Sequence, residues 1–216
     1  MPTSRRPTLI VAVLVVLAVA VLARALMAAG HEPLRESRTG SLQFVPEMPE
    51  ADRAWVRAAI AAARPEAQRL IDEVDGVVVV EPAAMMPEAI GRAQLGSDRA
   101  RIALDTGVLN ADRVLDRNVV VLHEFGHVID HLLVPDELVD RLDAGIPRGT
   151  CRSMLDDIGA CSAVEERFAD TFAKWALGGR VSMAGSGYGI PTPASLEDWG
   201  APLGRLAAEF AVGARD

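Results

Sequence analysis

Residues 116–133 read DRNVVVLHEFGHVIDHLL, and this stretch decides how the chain around it is interpreted. Asp116 can cap a helix, an apolar run continues it, and Pro135 ends it, so we predict a helix from residue 116 to about residue 133. His123 and His127 are four residues apart, which puts both imidazoles on one helix face and within reach of a single metal ion.

The motif His-Glu-x-x-His at residues 123–127 has a defined chemistry. Zinc prefers imidazole nitrogen ligands in tetrahedral geometry. The Glu124 side chain is rotated away from the direction in which the two histidines point. It stays close enough to take a proton from metal-activated water and return it to a leaving amine. The alternative is that both histidines are satisfied by hydrogen bonds in the core, but polar residues after a β-branched apolar run would be costly to bury there. The motif predicts a zinc hydrolase.

A catalytic zinc ion takes three protein ligands and keeps one position open, so a third ligand is needed. A further histidine six residues after the second is excluded, because Leu133 occupies that position. The other solution is a carboxylate from a later helix, which the sequence EERFAD at residues 165–170 offers. Glu166 shares a helix face with Asp170, which could accept a hydrogen bond from a ligand histidine and fix its tautomer. Glu165 and a plain solvated helix start remain the alternatives.

Two further polar residues follow the motif on the same predicted helix. Asp130 could lie next to a ligand histidine and help to orient it without binding the metal itself, or it could belong to the helix surface. His131 follows His127 by four residues, but the helix has by then carried it away from an ion held by the first two histidines. Packing or a hydrogen bond is therefore favoured for His131 over metal binding.

The two segments together resemble a known family. HEFGHVID (residues 123–130), followed by ERFADTFA (residues 166–173), is similar to the gluzincin branch of zinc peptidases, and most similar to the family that includes the catalytic domain of anthrax lethal factor and related bacterial peptidases. The similarity is confined to the two helices. It implies that His123, His127 and Glu166 bind zinc and that Glu124 is the catalytic glutamate.

The resemblance also implies a small sheet whose edge strand holds an extended peptide by strand addition, and residues 99–105 are the candidate strand.

This sequence departs from the family in one respect. Those relatives have a tyrosine shortly before the third ligand to stabilise the oxyanion, and this chain has none there. Its single tyrosine, Tyr188, lies in a Gly/Pro/Ser-rich loop that could swing over the site. A loop aromatic that packs on the surface is the alternative.

The fold expected from these patterns is α+β and zincin-like, mostly helical, with a small mixed sheet, an active-site helix and a following ligand helix. Periodicity predicts helices at residues 50–63, 67–74, 116–133, 136–142, 163–177 and 203–212, strands at 77–80 and 99–105, a short helix or loop at 87–96, and a loop at 145–159. We assign residues 50–216 to one metallopeptidase domain and residues 31–49 to a linker rich in helix and strand breakers.

Residues 1–30 have the layout of an export signal. Arg5 and Arg6 precede a nearly pure apolar run that Arg24 interrupts, which predicts either a signal anchor that stays in the membrane or a cleaved signal peptide. Either reading places the domain outside the cytoplasm, tethered to the membrane or secreted. Cys151 and Cys161 fit that compartment, because an oxidising environment would let them form a disulfide; two free thiols or metal ligands are the alternative.

The charge of the chain excludes one class of partner. The formal net charge is −8, and removing the three arginines of residues 1–30 leaves −11 on residues 31–216. Nucleic acid is therefore not expected as a partner, since phosphate contacts need clustered cations.

We expect a zinc-dependent endopeptidase that acts on a peptide or protein. The alternatives are a zinc hydrolase of a non-peptide or cell-wall amide and a non-catalytic extracytoplasmic binding module. A structural zinc site is disfavoured because only three ligands converge.

Overall fold

The computed structural model of the chain describes residues 42–83, 89–97, 99–111, 115–148, 163–181 and 190–213. In these ranges the elements are β1 (Gln43–Phe44), α1 (Glu50–Ala61), α2 (Pro65–Val74), β2 (Val78–Ala83), β3 (Gly91–Leu95), β4 (Ala100–Asp105), α3 (Thr106–Ala111), α4 (Arg117–Leu133), α5 (Asp136–Ala144), α6 (Val164–Ala176) and α7 (Leu196–Gly213). The predicted class is confirmed at this level: the described chain is mostly helical and has one small mixed sheet.

The four strands are ordered β1-β2-β4-β3. β1, β2 and β4 run parallel, whereas β3 pairs antiparallel with β4 at one edge of the sheet. The prediction that residues 99–105 form an edge strand is wrong, because β4 lies between β2 and β3 and buries Ile102 and Leu104 fully. Alternation of polar and apolar residues indicates that one face of a strand is solvated. It does not show whether the strand lies at the edge or in the interior of the sheet, because both can have a solvated face.

The edge strand beside β4 is β3, and it lies within the segment predicted to be a short helix or loop at residues 87–96. Its sequence GRAQL has no β-branched or aromatic residue, so pairing with β4 rather than intrinsic preference makes it a strand. The Asp105 N–H donates to the Ile90 carbonyl at 2.8 Å, and the Gly96 N–H donates to the Arg99 carbonyl at 2.9 Å. These two bonds fix the register of the pair.

Residues 42–49, the end of the predicted linker, contribute to the fold. Gln43 and Phe44 pair with β2, and Met48 is only 1% exposed. A strand of two residues is too short to show a period, which is why the sequence pattern does not reveal it.

The two helices that carry the motifs begin and end close to their predicted limits. At the start of α4, Oδ1 of Asp116 accepts the Asn118 N–H at 2.9 Å, as expected of a helix cap. α7 differs, since it begins at Leu196 instead of residue 203 and contains Pro202. The Ser195 hydroxyl accepts the Asp198 N–H at 3.1 Å and starts this helix upstream of the proline.

α4 packs against β3 on one side and against α6 on another. Gly126 makes the second contact close, because a Cβ there would lie 2.8 Å from the Cα of Ala169 and 3.2 Å from its Cβ and carbonyl oxygen. Phe125, Phe168 and Phe172 are fully buried in the core around this crossing. The two motif helices are therefore held in near backbone contact.

No helix in the described ranges is long and apolar enough to cross a membrane. The predicted N-terminal membrane segment at residues 1–30 lies outside the described residues.

Candidate metal centre

The two motif histidines lie on one face of α4, as the spacing predicts. The Nε2 atoms of His123 and His127 are 3.1 Å apart, and the ring planes meet at 83°. Both side chains are only 11% exposed. Two ring nitrogens therefore converge on one point in a largely buried environment.

Glu166 reaches the same point from the first turn of α6. Its Oε2 lies 3.1 Å from Nε2 of His123 and 3.5 Å from Nε2 of His127. Glu165, one position earlier on the helix, is exposed, and the structure brings Glu166 and not its neighbour to the histidines. Ala169 is one turn along α6 from Glu166, and its close approach to Gly126 is what brings this glutamate within reach.

The three ligand atoms have a spacing that suits a small tetrahedral ion. With bonds of about 2.0–2.1 Å, the ligand atoms of a tetrahedral centre lie about 3.3–3.4 Å apart. The three separations here are 3.1, 3.1 and 3.5 Å. Two imidazole nitrogens and one carboxylate oxygen are also a donor set that zinc accepts, so the residues fit the metal that the motif predicts.

Electrostatics in the cluster favour a cation. Burial alone would raise the pKa of Glu166, but the hydrogen bonds and charges of the two histidines outweigh it and lower that pKa to about 2. Burial would lower the pKa of His123, but the hydrogen bond that its ring donates to Glu166 and the charges of Glu124, Glu166 and Asp170 raise it. The carboxylates therefore make positive charge favourable at the point where the ring nitrogens meet.

Glu124 is buried between α4 and β3, with 5% of its surface exposed. Burial raises its pKa, although the charges of the two histidines and the backbone N–H of Ala93 oppose that rise. Gly91 lies directly against the side chain: a Cβ on this residue would be 2.8 Å from Cδ and 2.9 Å from Cγ of Glu124, and closer still to Oε1. Strand β3 thus holds the glutamate next to the His123, His127 and Glu166 side chains.

Asp170 is buried one turn after Glu166, on the same side of α6. The sequence predicts that it accepts a hydrogen bond from a ligand histidine; the partner that the structure provides is Lys174, whose Nζ donates to Oδ2 at 2.5 Å. Lys174 is 1% exposed and also donates to the Ile190 carbonyl. Oδ1 of Asp170 is buried without a donor among the described residues. Burial raises the pKa of Asp170 despite the opposing charge of Lys174.

The remaining candidates lie further from the three ligand atoms. Asp130 is half-buried on α4, and burial raises its pKa to about 6, with the charge of His127 opposing the rise. Its charge is therefore coupled to that of His127, the second histidine of the motif. His131, for which packing or a hydrogen bond was favoured over metal binding, is exposed. The predicted catalytic Tyr188 and the predicted disulfide between Cys151 and Cys161 lie outside the described residues.

Sequence reasoning missed the residues that support the site. Arg167, next to Glu166, is buried; its Nε donates to Oδ1 of Asp143 at 2.6 Å and its Nη2 to the Ile146 carbonyl at 2.8 Å, which ties the start of α6 to α5. Gly91 and Lys174 were also missed. An isolated glycine within a segment that pairs as a strand is the one signal that could have identified Gly91 as a place of close approach.

A scan against protein-family models, a search of curated proteins and a search of solved structures each found no match to this chain.

Proposed function

We propose that this chain is a zinc-dependent endopeptidase of the gluzincin type. The observation that carries the proposal is the convergence of His123, His127 and Glu166 from two helices, at separations that suit a tetrahedral ion. A buried carboxylate, that of Glu124, stands beside them and is not itself one of the three ligands. Three protein ligands leave one position for water or substrate, as in a catalytic and not a structural zinc site.

The ligand residues would hold the ion, which when bound would act as a Lewis acid on water and on the scissile carbonyl. Glu124 would take the proton of the attacking water on its carboxylate and pass it to the leaving nitrogen. Its position supports this role, because the carboxylate is buried next to the three proposed ligands and is not itself one of them.

The open edge of β3 supports a peptide as the substrate. In an antiparallel pair, hydrogen-bonded positions alternate with free ones. Because Ile90 bonds to Asp105 and Gly96 to Arg99, the main-chain groups of Gly91, Ala93 and Leu95 point away from β4. An extended peptide could pair by strand addition with the main-chain groups of Gly91 and Leu95 and with the Ala93 carbonyl, since the Ala93 N–H already bonds to Glu124. The Ala93 N–H faces Glu124, so this edge borders the proposed catalytic group. We therefore propose β3, in place of residues 99–105, as the substrate strand.

The zincin-like part of the fold is likewise a proposal. It is supported by a mixed sheet whose antiparallel edge strand contacts the motif helix, and by a following helix that supplies the third ligand. It agrees with the resemblance of the two motif segments.

The test uses the full-length chain with three variants. We expect stoichiometric zinc and peptide cleavage in the wild type, with cleavage reduced by about 100-fold or more and zinc retained in Glu124→Gln, because the amide keeps the shape but cannot accept the proton. Glu166→Ala should lose zinc, whereas the matched Glu165→Ala should retain zinc and activity, since Glu165 is exposed.

Each other outcome points to a different conclusion. Zinc without cleavage of a diverse peptide mixture would favour a hydrolase of a non-peptide or cell-wall amide, or a binding module. A folded protein that binds no zinc at all would refute the proposal.

A further inference from the structure

We propose that Gly91 is a positioning residue: its missing side chain forms the slot in which the Glu124 carboxylate is held against the edge strand. This inference rests on the proposed function for its catalytic consequence. Its structural part, that Glu124 occupies space which any other residue at position 91 would fill, stands independently.

The backbone does not explain a glycine at this position. Among the described residues the positive-φ glycines are Gly76, Gly178 and Gly179, and Gly91 is not one of them. Gly91 is the first residue of β3, but the Asp105–Ile90 bond continues the pairing beyond it, and a glycine within a paired segment often marks a bulge or a close approach. The pairing of β3 with β4 is continuous from Gly91 to Leu95, so no bulge accounts for it. Close approach by another group remains.

That group is the side chain of Glu124. The three nearest atoms that a Cβ on Gly91 would meet are all from this side chain, with Cδ at 2.8 Å, Cγ at 2.9 Å and Oε1 nearer. Ordinary contacts of a Cβ lie at 3.4–4 Å. The carboxylate arm would therefore have to move by roughly 0.5–1 Å to accommodate a methyl group, a displacement large enough to cost about 100-fold when it misplaces a catalytic group.

The clash is one that the fold can relieve. None of the three atoms belongs to the backbone or to a metal ligand, so a Gly91→Ala chain can keep its sheet and its His123, His127 and Glu166 cluster while the glutamate swings aside. The expected defect is therefore in the chemical step and not in folding or metal binding. Gly126 is different, because its neighbours are backbone and Cβ atoms of Ala169.

The first experiment measures catalysis in the full-length Gly91→Ala enzyme. We expect kcat to fall about 100-fold with KM changed less than about threefold and zinc content unchanged. The control is Gly204→Ala on α7, where the new Cβ meets only Cγ of Glu66 at 3.7 Å and kcat should stay at the wild-type value. A Gly91→Ala enzyme with wild-type kcat would overturn the proposal.

The second experiment needs no activity. Thermal unfolding of wild type, Gly91→Ala, Glu124→Ala and the double variant forms a cycle. With Glu124 present, Gly91→Ala should lower the melting temperature by roughly 2–4 °C. With Glu124 shortened to alanine the slot is empty, so the same methyl group should leave the melting temperature unchanged or raise it.

The two experiments separate the possible failures. An equal drop in melting temperature in both backgrounds would show that Gly91 serves the strand alone, and would overturn the inference. If the wild type cuts no peptide while the drop occurs only when Glu124 is present, the proposed function fails and the slot is supported.

Discussion

Gly126→Ala tests whether Glu166, the proposed third metal ligand, depends on the close crossing of α4 and α6. The new Cβ would lie 2.8 Å from the Cα of Ala169, which is backbone and cannot turn aside. The helices must separate by roughly 0.5–1 Å, and overpacking of this kind costs about 1–3 kcal/mol. Alanine also favours a helix interior over glycine by about 1 kcal/mol, so the net loss in the free energy of unfolding should be about 0–2 kcal/mol.

Metal binding should suffer more than stability does. Glu166 is one turn from Ala169 on α6, so separating the helices pulls its Oε2 away from the two histidine nitrogens. Disturbing the support of a metal ligand typically costs 10–100-fold in affinity, and we expect about that loss for zinc.

The assay pairs two measurements on each chain. Urea unfolding in chelator gives the stability of the metal-free protein, and competition with a chromophoric chelator gives the zinc dissociation constant. Gly204→Ala is the matched control, because it adds the same helix propensity where space exists, and it should gain stability and keep its zinc affinity. The reasoning is refuted if Gly126→Ala behaves like this control in both measurements.

Three further perturbations follow from the same structure. Zinc at a free concentration a thousandfold above its dissociation constant should add about 4 kcal/mol and raise the melting temperature by roughly 8–16 °C, with no rise in Glu166→Ala; scanning calorimetry with and without chelator checks this. Arg167→Met should destabilise by about 3 kcal/mol in urea, because Asp143 stays buried with one partner fewer, whereas Arg148→Met at the exposed partner should cost less than about 1 kcal/mol; equal costs would contradict the burial argument. Burial, followed by the charge of Asp72, raises the pKa of Asp75 to about 6 from an ordinary 3.8. The folded state therefore binds a proton that the unfolded chain releases between about pH 4 and 6, and stability falls as pH rises through that range. Asp75→Asn should stabilise by about 1 kcal/mol at pH 7, after allowance for partial solvation, and by nothing at pH 4; a benefit of equal size at both pH values would exclude this cause.

The convergence of His123, His127 and Glu166 could be predicted because the constraints on these residues are local. The relation of His123 to His127 depends only on the pitch of one helix, and Asp116 marks where that helix begins. The choice of Glu166 over Glu165 also follows from helical phase, since the two differ by one position on α6. Such periods remain visible in sequence because each turn repeats the same geometry.

The supporting residues could not be predicted, because their roles arise from contacts between distant segments. Nothing near Gly91 in the sequence indicates a contact with Glu124. The two residues meet only because β3 pairs with β4 and packs against α4. The same holds for Lys174, whose partner carbonyl at Ile190 belongs to a segment beyond the helix. Strand β3 was missed for a related reason. Its residues have low strand propensity, and it forms a strand because it pairs with β4.

The two glycines beside the motif make separable contributions, and added zinc should distinguish them. Gly126→Ala should lower the affinity for zinc but leave Glu124 in its slot. Saturating zinc should therefore restore kcat to within about threefold of the wild type. Gly91→Ala leaves the three proposed ligands untouched and displaces Glu124, the proposed general base, so its kcat should stay low at any zinc concentration. Activity measured against free zinc in a metal buffer resolves the two cases. If zinc restored the kcat of both variants, the contact of Gly91 with Glu124 would act through the proposed metal ligands. If zinc restored neither, the crossing of α4 and α6 would position more of the site than Glu166.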